Sequence, residues 1–141
     1  MLFRSVIIYS EKARLENKTI LYDEPQAVVT IYGDKNRIRQ VFINIIDNAI
    51  KYSSAGGQIA ISVIINKDEV TIAVEDDGCG IAESDLAKIK TKFYKANNTV
   101  RGSGIGLAVA EEIITSHNGT LEITSELGKY TRAEITLPIV V

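Results

Sequence analysis

Over residues 35–53 the apolar positions Val41, Phe42, Ile43, Ile45, Ile46, Ala49 and Ile50 fall at helical steps, which predicts a long helix. Gly33-Asp34 turns the chain into it, and Ser53-Ser54-Ala55-Gly56-Gly57 stops it. The period then changes to two. Ile59, Ile61, Val63 and Ile65 share one face, Val70, Ile72 and Val74 share another, and Asn66-Lys67-Asp68-Glu69 connects them, so a half-buried antiparallel hairpin is expected. A second helix is predicted over 104–116, apolar at Ile105, Leu107, Ala108, Val109, Ile113 and Ile114 and ended by His117-Asn118-Gly119. Two more alternating strands, 120–125 and 130–138, close the chain around Glu126-Leu127-Gly128-Lys129. Upstream, 18–22 and 27–32 read as short strands on either side of Pro25. Residues 83–89 have room for one or two helical turns, and 88–103, polar and non-periodic, are expected to form a mobile loop. The sum is an α/β two-layer sandwich with helices on one face of a largely antiparallel sheet.

Composition narrows the class. With 141 residues, 45% hydrophobic and 24% charged, the chain is long enough for one domain with an ordinary core. Cys79 is the single cysteine, which excludes an internal disulfide framework and cysteine-rich zinc sites and suits a reducing compartment. A formal net charge of −2 leaves no basic footprint for nucleic acid. Charges interrupt every apolar stretch well short of the ~20 residues that a membrane span needs, and no secretory pattern follows Met1. Residues 2–15 carry only a weak helical pattern, at Leu2, Phe3, Val6, Ile7, Ile8 and Leu15. They read as a linker, and the chain as a piece of something longer. The expected division is therefore a tail over 1–17 and a folded domain over 18–141.

The first helix also carries two amides. Asn44 and Asn48 stand four apart among isoleucines, and an unsatisfied buried amide costs on the order of 1 to 3 kcal/mol. Asn44, Asn48, Lys51 and Tyr52 fall at i, i+4, i+7 and i+8, which predicts one polar stripe opposite an apolar one, facing a ligand or water. A neutral amide oxygen suits magnesium when the ion arrives already paired with phosphates, because magnesium keeps several waters and takes few protein ligands. Lys51 would then supply positive charge to those phosphates. The same pair of amides is also readable as a cap on a neighbouring loop.

Two glycine-rich turns follow. In Asp76-Asp77-Gly78-Cys79-Gly80-Ile81, Asp76 ends an apolar strand, and Gly78 and Gly80 let the backbone approach a flat group or take positive φ. A carboxylate there can accept the exocyclic amine of adenine, whereas guanine presents a carbonyl at the same place. A tight turn with a capping aspartate explains the motif as well when it is taken alone. Asp77 is expected to face solvent, and Cys79 to be only a small residue fitting the turn. Gly102-Ser103-Gly104-Ile105-Gly106-Leu107 leads directly into the second helix, where free N–H groups and the helix dipole favour anions. It differs from a dinucleotide fingerprint in lacking a strand immediately upstream and a parallel βαβ unit. Phosphate cradling by a movable glycine loop fits better.

These three boxes, in this order, resemble the catalytic and ATP-binding domain of bacterial sensor histidine kinases, in the superfamily shared with gyrase B, the MutL repair protein and a heat-shock chaperone. The likeness covers residues 33–138. Residues 44–53 are similar to the family's asparagine box, which implies that Asn48 binds Mg2+ while Asn44, Lys51 and Tyr52 line the phosphate and sugar side of ATP, with Asn44, Asn48 and Lys51 as the catalytic set. Asp76, Gly78, Gly80 and Ile81 match the first glycine box, implying that Asp76 reads the adenine amine. Lys92-Phe93-Tyr94-Lys95 looks like the phenylalanine box of the lid over ATP, and 101–107 matches the second glycine box. The resemblance further implies a mixed, mainly antiparallel sheet covered on one face by three helices, the Bergerat-type ATP-binding fold. It also implies a cytoplasmic domain working with a histidine-bearing dimerisation domain of the same parent and a response regulator downstream. Isolated, the domain is expected to be a monomer.

One departure bears on chemistry. In the ATP-hydrolysing relatives and the anti-sigma serine kinases, a glutamate four residues before the magnesium asparagine is the general base, and here that place holds Asn44. An amide takes no proton at neutral pH, so the chain should be a poor ATPase and depend on an acceptor that is already nucleophilic, as a neutral imidazole is. His117, the single histidine, sits at a predicted helix end and reads as a cap rather than as that acceptor. The alternatives are an anti-sigma-type serine kinase, marked by phosphorylation of a protein serine, and a non-catalytic nucleotide-binding signalling module. Appreciable steady-state hydrolysis would mark a gyrase-like ATPase.

Overall fold

A computed structural model describes residues 18–23, 31–53, 56–78 and 106–139, the side chains of Asp23 and Tyr52 excepted. Its elements are β1 (Thr19–Asp23), α1 (Lys35–Tyr52), β2 (Gln58–Ile65), β3 (Glu69–Asp76), α2 (Gly106–Ser116), β4 (Thr120–Glu126) and β5 (Tyr130–Pro138). The strands form one sheet in the order β1-β2-β3-β5-β4. β1 runs parallel to β2, with Thr19 opposite Gln58, and every other pairing is antiparallel. A parallel neighbour needs a crossover, and α1 is the helix that this crossover contains.

Alternation decides which side of the sheet is covered. Ile59 and Ile61 of β2, Val70, Ile72, Val74 and Asp76 of β3, and Ala133, Ile135 and Leu137 of β5 are buried. They share one face with Leu121 of β4, and there they meet Ile38, Val41, Ile45, Ile46 and Ile50 of α1 and Ala110, Ile113 and Ile114 of α2. Each fully buried isoleucine in that layer contributes about 1.5 to 3 kcal/mol. The opposite face carries Ser62, Thr71, Glu75, Arg132, Glu134 and Thr136.

Both helices have defined ends. Asp34 caps α1, its Oδ1 accepting from the N–H groups of Asn36 at 2.9 Å and Arg37 at 3.2 Å. The last turn closes through Ser53, whose N–H donates to the Ala49 carbonyl and whose Oγ donates to the Ile50 carbonyl, each at 3.0 Å. At the end of α2, the Gly119 N–H donates to the Ile114 carbonyl and the Asn118 N–H to the Thr115 carbonyl, the two bonds of a Schellman motif. Asn118 takes the left-handed conformation there, with φ 62°.

The two-layer α/β sandwich and its mixed, mainly antiparallel sheet are as expected. Two helices lie among the described residues; the third expected one, over 83–89, and the expected loop over 88–103 lie outside them. Of the strand expected over 27–32, only Ile31 and Tyr32 are described, and neither is in a strand. Among the described residues β1 pairs with β2.

Candidate functional site

Asn44 and Asn48 are half-buried along the flank of the buried face of α1, rather than opposite it. The cause is angular: Val41 and Ile45, immediately beside them on the helix surface, face the core. A flank position is where a side chain can reach a ligand lying beside the helical layer. The amides differ. Asn44 Oδ1 accepts from Gln40 Nε2 at 2.7 Å, one turn back, while the Asn48 side chain makes no hydrogen bond to another described residue. Lys51 Nζ lies 2.9 Å from Asp47 Oδ2, an i,i+4 ion pair on the same helix. Tyr52 is the last residue of α1.

Asp76 is the last residue of β3 and only 4% exposed. Its alternation with Val74 and Ile72 turns it to the helix-covered side. Oδ1 accepts from the Gly78 N–H at 2.9 Å, and Gly78 is buried with it. Burial is the main influence on this carboxyl and pushes it up to about 6 from the ordinary 3.8. The Gly78 N–H opposes that, the charges of Asp77 and Glu75 add to it, and the Lys18 ammonium lowers it. Asp77 is exposed, as expected, and its Oδ2 also accepts from the Gln58 N–H at 3.1 Å, tying the turn to the start of β2.

Gly106 and Leu107 open α2, so the second glycine box runs into a helix N-terminus as expected. Gly80, Ile81, Lys92, Phe93, Lys95, Gly102, Ser103, Gly104 and Ile105 lie outside the described residues. One residue that acts on Asp76, Lys18, escaped sequence reasoning. Lys18 Nζ donates to the Ile50 carbonyl at the end of α1, and Ser53, 8% exposed, donates to the same oxygen. Lys18 had no local signal, because it reaches α1 only through the parallel β1–β2 pair, whereas Ser53 was legible as the stop of the helix.

Among the described residues, no group of three or more His, Cys, Asp or Glu could hold a metal ion. An amide oxygen such as that of Asn48 could serve a divalent ion that brings phosphate ligands with it. No helix among the described residues is long and apolar enough to cross a membrane.

Comparison with known proteins gives a consistent result. Residues 33–141 match the family described as histidine kinase-, DNA gyrase B- and HSP90-like ATPase. Sporulation kinase E of Bacillus subtilis is 35% identical over 136 residues, which cover 96% of this chain and 18% of that protein. Sensor histidine kinase WalK of the same organism is 34% identical over 143 residues, covering 96% of this chain and 23% of WalK. The chain thus spans a minor part of either relative. Among solved structures, the nucleotide-free catalytic domain of histidine kinase ThkA superposes with a TM-score of 0.85 at 25% identity, over 97% of this chain and 90% of that one.

Proposed function

The chain belongs to the family of histidine kinase-, DNA gyrase B- and HSP90-like ATPases, and on that premise we propose that it is the ATP-binding catalytic domain of a sensor kinase. It transfers the γ-phosphoryl of Mg-ATP to a histidine on a separate dimerisation domain of the same parent, reached through residues 1–17, and a response regulator takes the phosphoryl downstream. The observation that carries this reading is Asp76. A carboxylate 4% exposed at the end of a central strand has a desolvation cost that a turn alone does not require. A site that must read an amine accounts for it.

Asp76 accepts the exocyclic amine of adenine and disfavours guanine, whose carbonyl would face a carboxylate oxygen. The dipole of α2 and its free N–H groups, reached through Gly102, Ser103, Gly104, Ile105 and Gly106, favour the phosphates. Asn48 would hold magnesium, which when bound offsets charge on the phosphates. Lys51, together with Lys92 or Lys95, adds positive charge at the transferring group. In the step itself the bond from the γ-phosphorus to the β–γ bridging oxygen breaks, a bond to the acceptor imidazole nitrogen forms, and ADP leaves. Asn44 removes no proton, so the acceptor must be a nucleophile as it stands.

Calorimetric titration with ADP and with GDP, each with and without magnesium, tests the reading. Magnesium-assisted ADP binding in the micromolar range, with GDP weaker by about tenfold or more (~1.4 kcal/mol), is the expected result. Failure of both nucleotides to bind would replace it with a non-catalytic signalling module. Transfer from ATP to a protein serine would replace it with a serine kinase.

A further inference from the structure

Three contacts fix where the ammonium of Lys18 goes. The Thr19 N–H donates to the Gly57 carbonyl at 3.0 Å, starting the parallel pairing in which Thr19 stands opposite Gln58. Ile20 and Tyr22 pack against the core while Thr19 and Leu21 are exposed, so alternation sets Lys18 on the core side at the start of the strand. Two strands away Asp76 stands opposite Ile59, which is 0% exposed on that same side. Lys18 and Asp76 therefore converge on one end of the sheet, with the first residues of β2 between them. The last turn of α1 covers this end. Lys18 Nζ donates there to the Ile50 carbonyl, which Ser53 Oγ steadies at 3.0 Å, and a helix C-terminus favours a cation.

We propose that Lys18 is a positioning residue for base selection: tethered to the end of α1, its ammonium holds Asp76 as the carboxylate that accepts an exocyclic amine. This rests on Asp76 reading the base. The Gly78 N–H favours the carboxylate, and among the described charged groups Lys18 adds to it. On its own strand and turn, Asp76 has Glu75 and Asp77, both of which favour its protonation, as burial does more strongly. Its register neighbours Ile59 on β2 and Thr131 on β5 carry no charge. Arg132 of β5 is held by Glu134 at 2.7 Å and lies 3.7 Å from Glu75. Lys51 of α1 is engaged by Asp47. Among the described residues Lys18 is the cation that acts on Asp76. The charge state matters for selectivity because a protonated carboxyl donates, and a donor meets the carbonyl of guanine instead of repelling it.

The test is titration of the unmodified, Lys18→Met and Lys18→Arg proteins with ADP and with GDP, from about pH 5.5 to pH 8, alongside thermal unfolding. In the unmodified protein the ADP preference fades as pH falls through the titration of Asp76. In Lys18→Met that fade moves to higher pH, with ADP affinity at the alkaline end retained. Lys18→Arg, which keeps the charge, follows the unmodified profile. A Lys18→Met profile superimposed on the unmodified one overturns the proposal, and so does a loss of affinity equal at every pH, the signature of a merely structural role. Absence of any ADP preference in the unmodified protein overturns the base-reading assignment of Asp76 itself, so the two failures are distinct.

Discussion

His117 and Asp34 are joined across the two helices of the covering layer: the Asp34 backbone N–H donates to His117 Nε2 at 3.0 Å. On the other side of the ring, Nδ1 lies 2.7 Å from the Ile113 carbonyl. A nitrogen facing an N–H must accept and one facing a carbonyl must donate, so the partners assign a neutral ring protonated at Nδ1. The contact is close. A Cβ at Gly33 would stand 2.3 Å from His117 Cδ2, so the residue before the α1 cap has to lack one. With Nε2 occupied, His117 offers no lone pair to a phosphoryl group, in keeping with its reading as a cap.

Replacing His117 by Ala should therefore cost stability and leave chemistry alone. The Asp34 N–H loses its acceptor at the start of α1, which predicts a loss of about 1 to 2 kcal/mol in urea unfolding. ADP affinity should stay within about twofold. If the variant keeps its stability but loses phosphoryl transfer, His117 is an acceptor and the cap reading fails.

Asp76 should make the protein less stable where it is functional. Its folded-state pKa is raised from 3.8 to about 6, so its favourable contribution is complete below 3.8 and is lost as pH rises through about 6. Above that, the buried charge costs on the order of 3 kcal/mol. In Asp76→Asn the side-chain oxygen can still accept from Gly78, so the variant should gain about 1 to 3 kcal/mol at pH 7.5 and little at pH 3.5. Denaturant melts of both proteins at the two pH values check this. Adenine nucleotide binding should vanish in the same variant, and retained micromolar affinity would remove Asp76 from the site.

How much of this was readable follows residue by residue. The β2–β3 hairpin was legible because Ile59, Ile61, Val70, Ile72 and Val74 bury one face, and a one-residue slip would expose all of them. Asp34 and Ser53 marked α1 for the same kind of local reason, since each bonds within a few residues of itself. Asp76 was legible as a strand-end carboxylate, since it closes the apolar run of β3. What escaped is non-local. Nothing within Thr19–Asp23 distinguishes a parallel partner from an antiparallel one, and the place of Lys18 depends on that pairing. The polar stripe was set opposite the apolar face, and only packing against the sheet and α2 shows that Asn44 and Asn48 lie on its flank.

The pair at the end of α2 separates two reasons for a small residue. Asn118, not Gly119, takes the positive φ, so Asn118→Gly should change stability by no more than about 1 kcal/mol. Gly119 is needed for space: a Cβ there would meet the Thr136 carbonyl oxygen at 2.4 Å and Leu137 Cδ2 at 2.8 Å. Backbone cannot step aside as a side-chain tip does, so Gly119→Ala should lose about 1 to 3 kcal/mol. Equal effects of the two substitutions in urea melts would contradict this division.

Asn48→Asp tests the proposed magnesium ligand without disturbing the core, because Asn48 sits on the flank of α1. A carboxylate there faces the phosphates with a like charge, and ATP binding should fall below detection in calorimetry while the melting temperature stays within a few degrees. Micromolar binding in this variant would take the metal away from residue 48.

Lys51 and Asp47 set a final test, because their ion pair at 2.9 Å could either restrain Lys51 or merely rest it. Pairs of this spacing on a partly exposed helix surface contribute about 0.3 to 0.5 kcal/mol. A charge-assisted contact to phosphate is stronger, about 1.5 to 3 kcal/mol. Lys51 should therefore leave Asp47 when phosphates arrive, and breaking the pair should matter little. Asp47→Asn is expected to change ATP affinity by less than about threefold, whereas Lys51→Met should weaken it by about tenfold or more and flatten its dependence on salt. Should the two substitutions weaken ATP equally, Lys51 serves the helix rather than the phosphates, and positive charge at the transferring group must come from Lys92 or Lys95.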